Sequence, residues 1–146
     1  MESGLLKSNV RIVVDGKEQL LENLTLDQGA VYFLRKLNNL WSAVRMSHMA
    51  AGDSDTAVVV TQTGLQGSQV GETTLIETVI ADPGGWRVRL STQIIVPTGE
   101  TAREMVITYP GGEIHDCFAR VVLGTPIVGP KIINVEYWDI YMQGVE

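Results

Sequence analysis

Residues 86–96 read Trp86-Arg87-Val88-Arg89-Leu90-Ser91-Thr92-Gln93-Ile94-Ile95-Val96. Trp86, Val88, Leu90, Thr92, Ile94 and Val96 fall on one side of an extended chain. Arg87, Arg89, Ser91 and Gln93 fall on the other. Successive side chains of a strand point to opposite faces, so this period of two predicts a strand with one dry and one wet face. Turn signals bracket it, Asp82-Pro83-Gly84-Gly85 before and Pro97-Thr98-Gly99-Glu100 after. Proline presets φ and glycine supplies positive φ at such corners.

The same reading extends in both directions. Val10-Arg11-Ile12-Val13-Val14 is a β-branched run, starting near Leu5 and closed by Asp15-Gly16. Met46-Ser47-His48-Met49-Ala50-Ala51-Gly52 reads as a short strand, and Leu75-Ile76-Glu77-Thr78-Val79-Ile80 as one strand. Downstream, Met105, Ile107 and Tyr109 alternate, Pro110-Gly111-Gly112 turns the chain, and Cys117, Ala119, Val121 and Leu123 alternate again. Gly124-Thr125-Pro126 and Gly129-Pro130 punctuate the connection to the last strand. There Ile133, Val135, Tyr137, Asp139 and Tyr141 alternate with Ile132, Asn134, Glu136, Trp138, Ile140 and Met142. Both faces carry large apolar groups, so this strand is either central or buried on one face by another subunit.

Two segments break the β pattern. Ala30, Leu34, Leu37, Trp41 and Val44 recur at the 3.6-residue period of a single buried stripe, with Thr25 or Asp27 able to cap. They predict one α-helix near residues 27–41, with Arg35 and Lys36 on its wet face. Residues 52–71 carry Gly52, Gly64, Gly67 and Gly71 among Ser, Thr, Asp and Gln. They predict a long surface loop with a brief strand at Ala57-Val58-Val59-Val60, of the kind that is functional or packed on a partner. Roughly seven to nine short strands with regular turns make the expected fold mainly β. The expected form is an antiparallel, jelly-roll-like β-sandwich forming a single domain over residues 1–146.

Composition bounds the function. The chain has 146 residues, 11 basic against 17 acidic, for a net charge of −6. An acidic chain without a Lys/Arg cluster is poorly suited to gripping phosphate backbones, so no direct nucleic-acid partner is expected. No apolar run approaches the length of a membrane span, and the start lacks the basic and apolar regions of a secretion signal. Cys117 is the only cysteine, which excludes an intrachain disulfide framework and a cysteine zinc cage. His48 and His115 are the only histidines.

Five clusters could carry chemistry. Glu113-Ile114-His115-Asp116-Cys117 holds a potential base and nucleophile. On a strand, however, Cys117 and His115 stand about 6–7 Å apart, too far for a direct hydrogen bond. A surface His115 beside a core Cys117 is the simpler reading. Asp53 and Asp55 open like a calcium loop, but Ala57-Val58-Val59-Val60 stands where further oxygen ligands would be needed. Met46, His48 and Met49 could form a soft-metal site, but a strand with large side chains alternating into the core is the simpler reading. Gly64-Leu65-Gln66-Gly67-Ser68 lacks the Lys-Ser/Thr of a phosphate loop. Arg87 and Arg89 make a small basic stripe, read as a wet face balanced by acids or as a seam to an acidic partner. Catalytic, cofactor and metal residues are therefore all expected to be absent.

The order of several motifs resembles small structural domains of tailed-bacteriophage virions, of the tail-fibre, baseplate-associated or head cement type. The carriers are Met49-Ala50-Ala51-Gly52, then Gly64-Leu65, Arg103-Glu104-Met105-Val106-Ile107, Gly111-Gly112 and Ala119-Arg120-Val121-Val122-Leu123. A closing strand follows Pro130-Lys131, Ile132-Ile133-Asn134-Val135-Glu136-Tyr137-Trp138-Asp139-Ile140. The resemblance spans residues 25–142 and departs from the pattern at Val106-Ile107-Thr108 and at Phe118. It implies a non-enzymatic virion protein assembled in the bacterial host cytoplasm. Such a protein would be a homo-oligomer, a trimer by preference, contacting the major capsid protein or tail proteins and using no cofactor. Trp86, Tyr109, Tyr137, Trp138 and Tyr141 are the expected core or interface anchors, since buried aromatics carry much of an interface's energy. Residues 1–14 and 142–146 are expected to act as arms. Two rivals stand beside this reading: a sugar- or surface-ligand-binding sandwich module, and a small enzyme using Cys117 and His115.

Overall fold

The computed structural model describes residues 6–24, 26, 47–81, 87–108, 114 and 117–142. The helix expected near residues 27–41 lies outside them. The strands are β1 (Leu6–Val14), β2 (Lys17–Leu24), β3 (His48–Gly52), β4 (Gln69–Leu75), β5 (Thr78–Ala81), β6 (Arg87–Val96), β7 (Thr101–Thr108), β8 (Cys117–Val128) and β9 (Lys131–Met142). They form two antiparallel sheets, one ordered β2-β1-β9-β6-β5 and the other β4-β3-β7-β8. The inner faces meet in one apolar cluster. Val10, Ile12, Leu90, Ile94, Ile133, Val135 and Trp138 come from the first sheet, and Met49, Met105, Ile107, Ala119 and Val121 from the second. The fold is therefore mainly β and sandwich-like.

The alternation holds from Arg89 to Val96: Leu90, Thr92, Ile94 and Val96 are buried, while Arg89, Gln93 and Ile95 are exposed. Asp15 and Gly16 both have positive φ, at 52° and 77°, and join Val14 to its cross-strand partner Lys17. Positive φ at both central residues is what a two-residue hairpin turn requires, because its twist then matches that of the strands.

Four expectations are corrected. The stretch from Leu75 to Ile80 is not one strand: β4 ends at Leu75 in one sheet and β5 begins at Thr78 in the other. The chain crosses between sheets at Ile76 and Glu77, and Gln69 to Gly71, read as loop, belong to β4. No brief strand forms at residues 57–60. The two faces of β9 also exchange partway along. Against β1, Ile12 pairs with Val135 but Arg11 pairs with Tyr137, so Glu136 is an extra residue, a β-bulge. Before the bulge Ile133 and Val135 point inward; after it Trp138 and Ile140 do. Strict alternation put Trp138 and Val135 on opposite faces. The strand carries large apolar groups in both phases because its phase shifts, and it is central, between β1 and β6.

Both lateral seams between the sheets are stitched by side chains. The Gln19 amide donates to Thr125 O at 3.0 Å and accepts from Thr125 N at 2.9 Å, tying β2 to a kink in β8. Across the molecule, Thr92 Oγ1 donates to Leu75 O at 2.8 Å, tying β6 to β4.

Candidate functional site

The outward face of β7 is unusual for a sandwich because it is also buried: Glu104, Val106 and Thr108 have no exposed surface. On β8, Arg120 is likewise fully buried. In register, Glu104 lies opposite Val122 and Val106 opposite Arg120, so the two charges are diagonal neighbours on adjacent strands. Arg120 Nε donates to Glu104 Oε1 at 2.8 Å.

Residues 53–68 cover this pair. The loop leaves β3 and re-enters β4 at one point, where Asp53 N donates to Ser68 O at 3.1 Å and Ser68 N to Asp53 Oδ1 at 2.7 Å. The Glu104 carboxylate accepts three loop amides: Gln66 N at 2.8 Å, and Ser54 N and Gly67 N at 2.9 Å each. Arg120 Nη1 donates to Thr56 O at 2.7 Å and Gln62 Oε1 at 3.2 Å, and Nη2 reaches Ser54 O at 3.4 Å. The carboxylate thus satisfies the loop's donors and the guanidinium its acceptors. Buried charges persist only when paired and hydrogen-bonded in this way. A small apolar cluster of Ala50, Leu65, Val106 and Cys117 lies under the same loop. A β-carbon at Gly52 would stand 2.6 Å from Glu104 Oε2 and 2.8 Å from Leu65 Cδ2, so any larger residue there would have to displace one of these side chains.

This arrangement resolves several sequence candidates. The long loop packs on its own sheet. Asp53 spends one carboxylate oxygen on the loop's base, and Asp55 is exposed. Leu65 of the Gly64-Leu65 motif is an apolar plug, its amide donating to Ile114 O at 3.0 Å. Cys117 is buried beneath it, with Sγ donating to Ile114 O at 3.3 Å. Glu113, His115 and Asp116 lie outside the described residues, as do Met46, Trp86 and Tyr109. Met49 is in the main core, and His48 Nδ1 lies 2.6 Å from Ser47 Oγ. Among the described residues no group of three His, Cys, Asp or Glu is placed to hold a metal ion.

The outer face of the five-stranded sheet is a polar ladder. Arg89 pairs with Asp139 through two bonds of 2.7 and 2.8 Å, and its guanidinium lies 4.4 Å from the centre of the Tyr137 ring. Asn9 Nδ2 donates to Tyr141 Oη at 3.2 Å, and Gln93 Nε2 to Asn134 Oδ1 at 2.7 Å. A hydrogen bond from Arg11 to Glu18 raises the Arg11 pKa above its ordinary value. The basic stripe at Arg89 is therefore balanced by an acid within its own sheet. Of the expected anchors, Tyr137 and Tyr141 are half-buried on this face, whereas Trp138 points into the core with no exposed surface.

Toward the end of the sandwich the ladder gives way to aliphatics. Ile95 and Ile132 are cross-strand partners, 63% and 49% exposed, and Val128 is 60% exposed. Ile95, Pro97, Pro130 and Ile132 line one open groove of about 720 Å³. Glu72 and Glu77 flank an adjoining groove that shares Ile95 and Ile132.

Sequence reasoning missed Glu104 and Arg120 as a pair. The available signal was Arg120, the one charge in its strand, between Ala119 and Val121, and Glu104 directly before the apolar run Met105-Val106-Ile107. No family model, curated protein or solved structure matches the chain.

Proposed function

We propose that the chain is a non-enzymatic structural protein of a tailed-bacteriophage virion, a head cement protein that stabilises the capsid through subunit contacts. In this reading it assembles in the host cytoplasm as a homo-oligomer, a trimer, and binds the major capsid protein. A tail-fibre or baseplate-associated adaptor contacting tail proteins is the alternative placement. The motif order described above suggests the class, and the jelly-roll-like form of the sandwich belongs to the same reading. The observation that carries it is the pair of exposed isoleucines, Ile95 and Ile132, set between Pro97 and Pro130. Clustered exposed aliphatics mark contact surfaces, and in a symmetric assembly one such patch serves every copy.

The test is mass by light scattering at low and high salt, on the wild type and on an Ile95→Asp/Ile132→Asp variant. A wild-type trimer reduced to monomer by the substitutions is expected. A wild-type monomer at high concentration overturns self-assembly. Co-sedimentation with capsid shells and with tail complexes then separates the two placements.

A second reading has its own observation. The ladder of Asn9, Arg89, Gln93, Asn134 and Asp139 beside Tyr137 and Tyr141 places planar polar groups next to aromatic rings, a chemistry suited to sugars. It predicts that a Tyr137→Ala/Tyr141→Ala variant loses retardation in polysaccharide-containing gels. Equal migration of wild type and variant in every polysaccharide counts against it.

A further inference from the structure

We infer that residues 53–68 form a strap that opens as one unit while the sandwich stays folded, with the Glu104–Arg120 pair as its latch. Four observations carry this, and none depends on the assembly reading.

The loop's two ends touch at Asp53 and Ser68, so opening it displaces neither β3 nor β4. A compact loop of about 16 residues with adjoining ends is an Ω-loop, a unit that can move as a body. Its hydrophobic attachment is slight. Leu65 is its one buried large aliphatic, and the cluster it joins is separate from the core between the sheets. The bonds between loop and sheet converge on few groups: three loop amides on the Glu104 carboxylate, two loop carbonyls and the Gln62 side chain on Arg120, and the backbone pairs Leu65–Ile114 and Cys117–Thr63. When bonds converge in this way, losing one group releases the rest together.

The chemistry of the latch makes opening accessible. Both side chains have no exposed surface when closed. Burying two charges costs hydration that their attraction only partly returns. Opening restores that hydration, whereas opening the main core would expose only apolar surface. Local openings of this kind lie between fraying and global unfolding in free energy. The open form would present Ala50, Val106 and Cys117 beside a solvated acid and base.

Native-state hydrogen exchange on the full chain, at several low urea concentrations, is the test. The amides of Ser54, Leu65, Gln66, Gly67 and Cys117 are expected to exchange together. They should be protected, yet exchange ~100-fold or more faster than β1 and β9 amides and with little urea dependence. Exchange at the β9 rate with the β9 urea dependence overturns the proposal, because the loop would then open only with the whole molecule. Absence of protection overturns it too, because there would be no closed strap. The latch is tested by thiol labelling of Cys117. Glu104→Gln should raise the labelling rate ~10-fold or more, with an unchanged circular dichroism spectrum. If that variant fails to fold, Arg120→Lys, which keeps the charge but loses the planar fork, should give the same effect in weaker form. A labelling rate unchanged in the folded variant removes the latch role.

Discussion

Strand β7 has two buried faces of opposite character. Inward, Met105 and Ile107 join a continuous apolar core between the sheets. Outward, Glu104 and Val106 lie under a loop whose one buried large aliphatic is Leu65 and whose amides converge on the Glu104 carboxylate. The inward face is held by area removed from water, spread over many residues, so it is robust to any one hydrogen bond. The outward face is held by directional bonds to two charges, so it is specific and brittle. The same depth of burial therefore means different things on the two sides of one strand.

Substitutions can break or sharpen that contrast. Trp138→Ala in the core should cost the most, about 3–5 kcal/mol of global stability in urea denaturation, because it opens a large cavity. If it costs under about 1 kcal/mol, the core is not tightly packed there. Next comes the latch. Glu104→Leu removes the counter-charge of Arg120 and leaves Arg120 Nε and three loop amides without their acceptor, at about 1–3 kcal/mol for each group left buried. Opening of the strap limits the measured global loss to about 3 kcal/mol or less. Arg120→Met should cost less than Glu104→Leu, since Glu104 keeps its three amide donors. The reverse order would mean that the guanidinium, not the carboxylate, organises the loop. Gly52→Ala should cost about 1–3 kcal/mol through crowding against Glu104 and Leu65, with faster Cys117 labelling as its signature. The smallest effect is expected from Arg89→Ala on the solvent-facing ladder, about 0.2–1 kcal/mol and less at high salt.

The strands were largely legible because period-two burial is local: each residue of β6 from Leu90 to Val96 takes the face that its neighbours dictate. The bulge at Glu136 was not legible. It is fixed by the register of β9 against β1 and β6 together, and nothing in the polarity of Val135, Glu136 and Tyr137 marks which residue is extra. The break at Ile76-Glu77 was hidden for a similar reason, since both flanking segments favour strand and only their different sheet partners separate them. Glu104 and Arg120 fall outside the apolar phase of their strands, where a charge is ordinarily exposed. Their burial comes from a loop about 40 residues earlier than Glu104 in the chain, folding back over them, a relation that no local pattern encodes. Tyr137, Trp138 and Tyr141 stood out as large aromatics, but which of them turns inward follows from the bulge.

The stitches at the two seams have a consequence for how copies of this chain can join. A sandwich whose outermost strands offer bare backbone can grow sideways without limit, strand upon strand, into fibres. Here Gln19 occupies Thr125 at the β2–β8 seam, and Thr92 occupies Leu75 at the β4–β6 seam. The short β5 is the remaining outermost strand. An incoming strand would therefore find backbone groups already taken at Thr125 and at Leu75, and β5 would offer it only the four residues Thr78–Ala81.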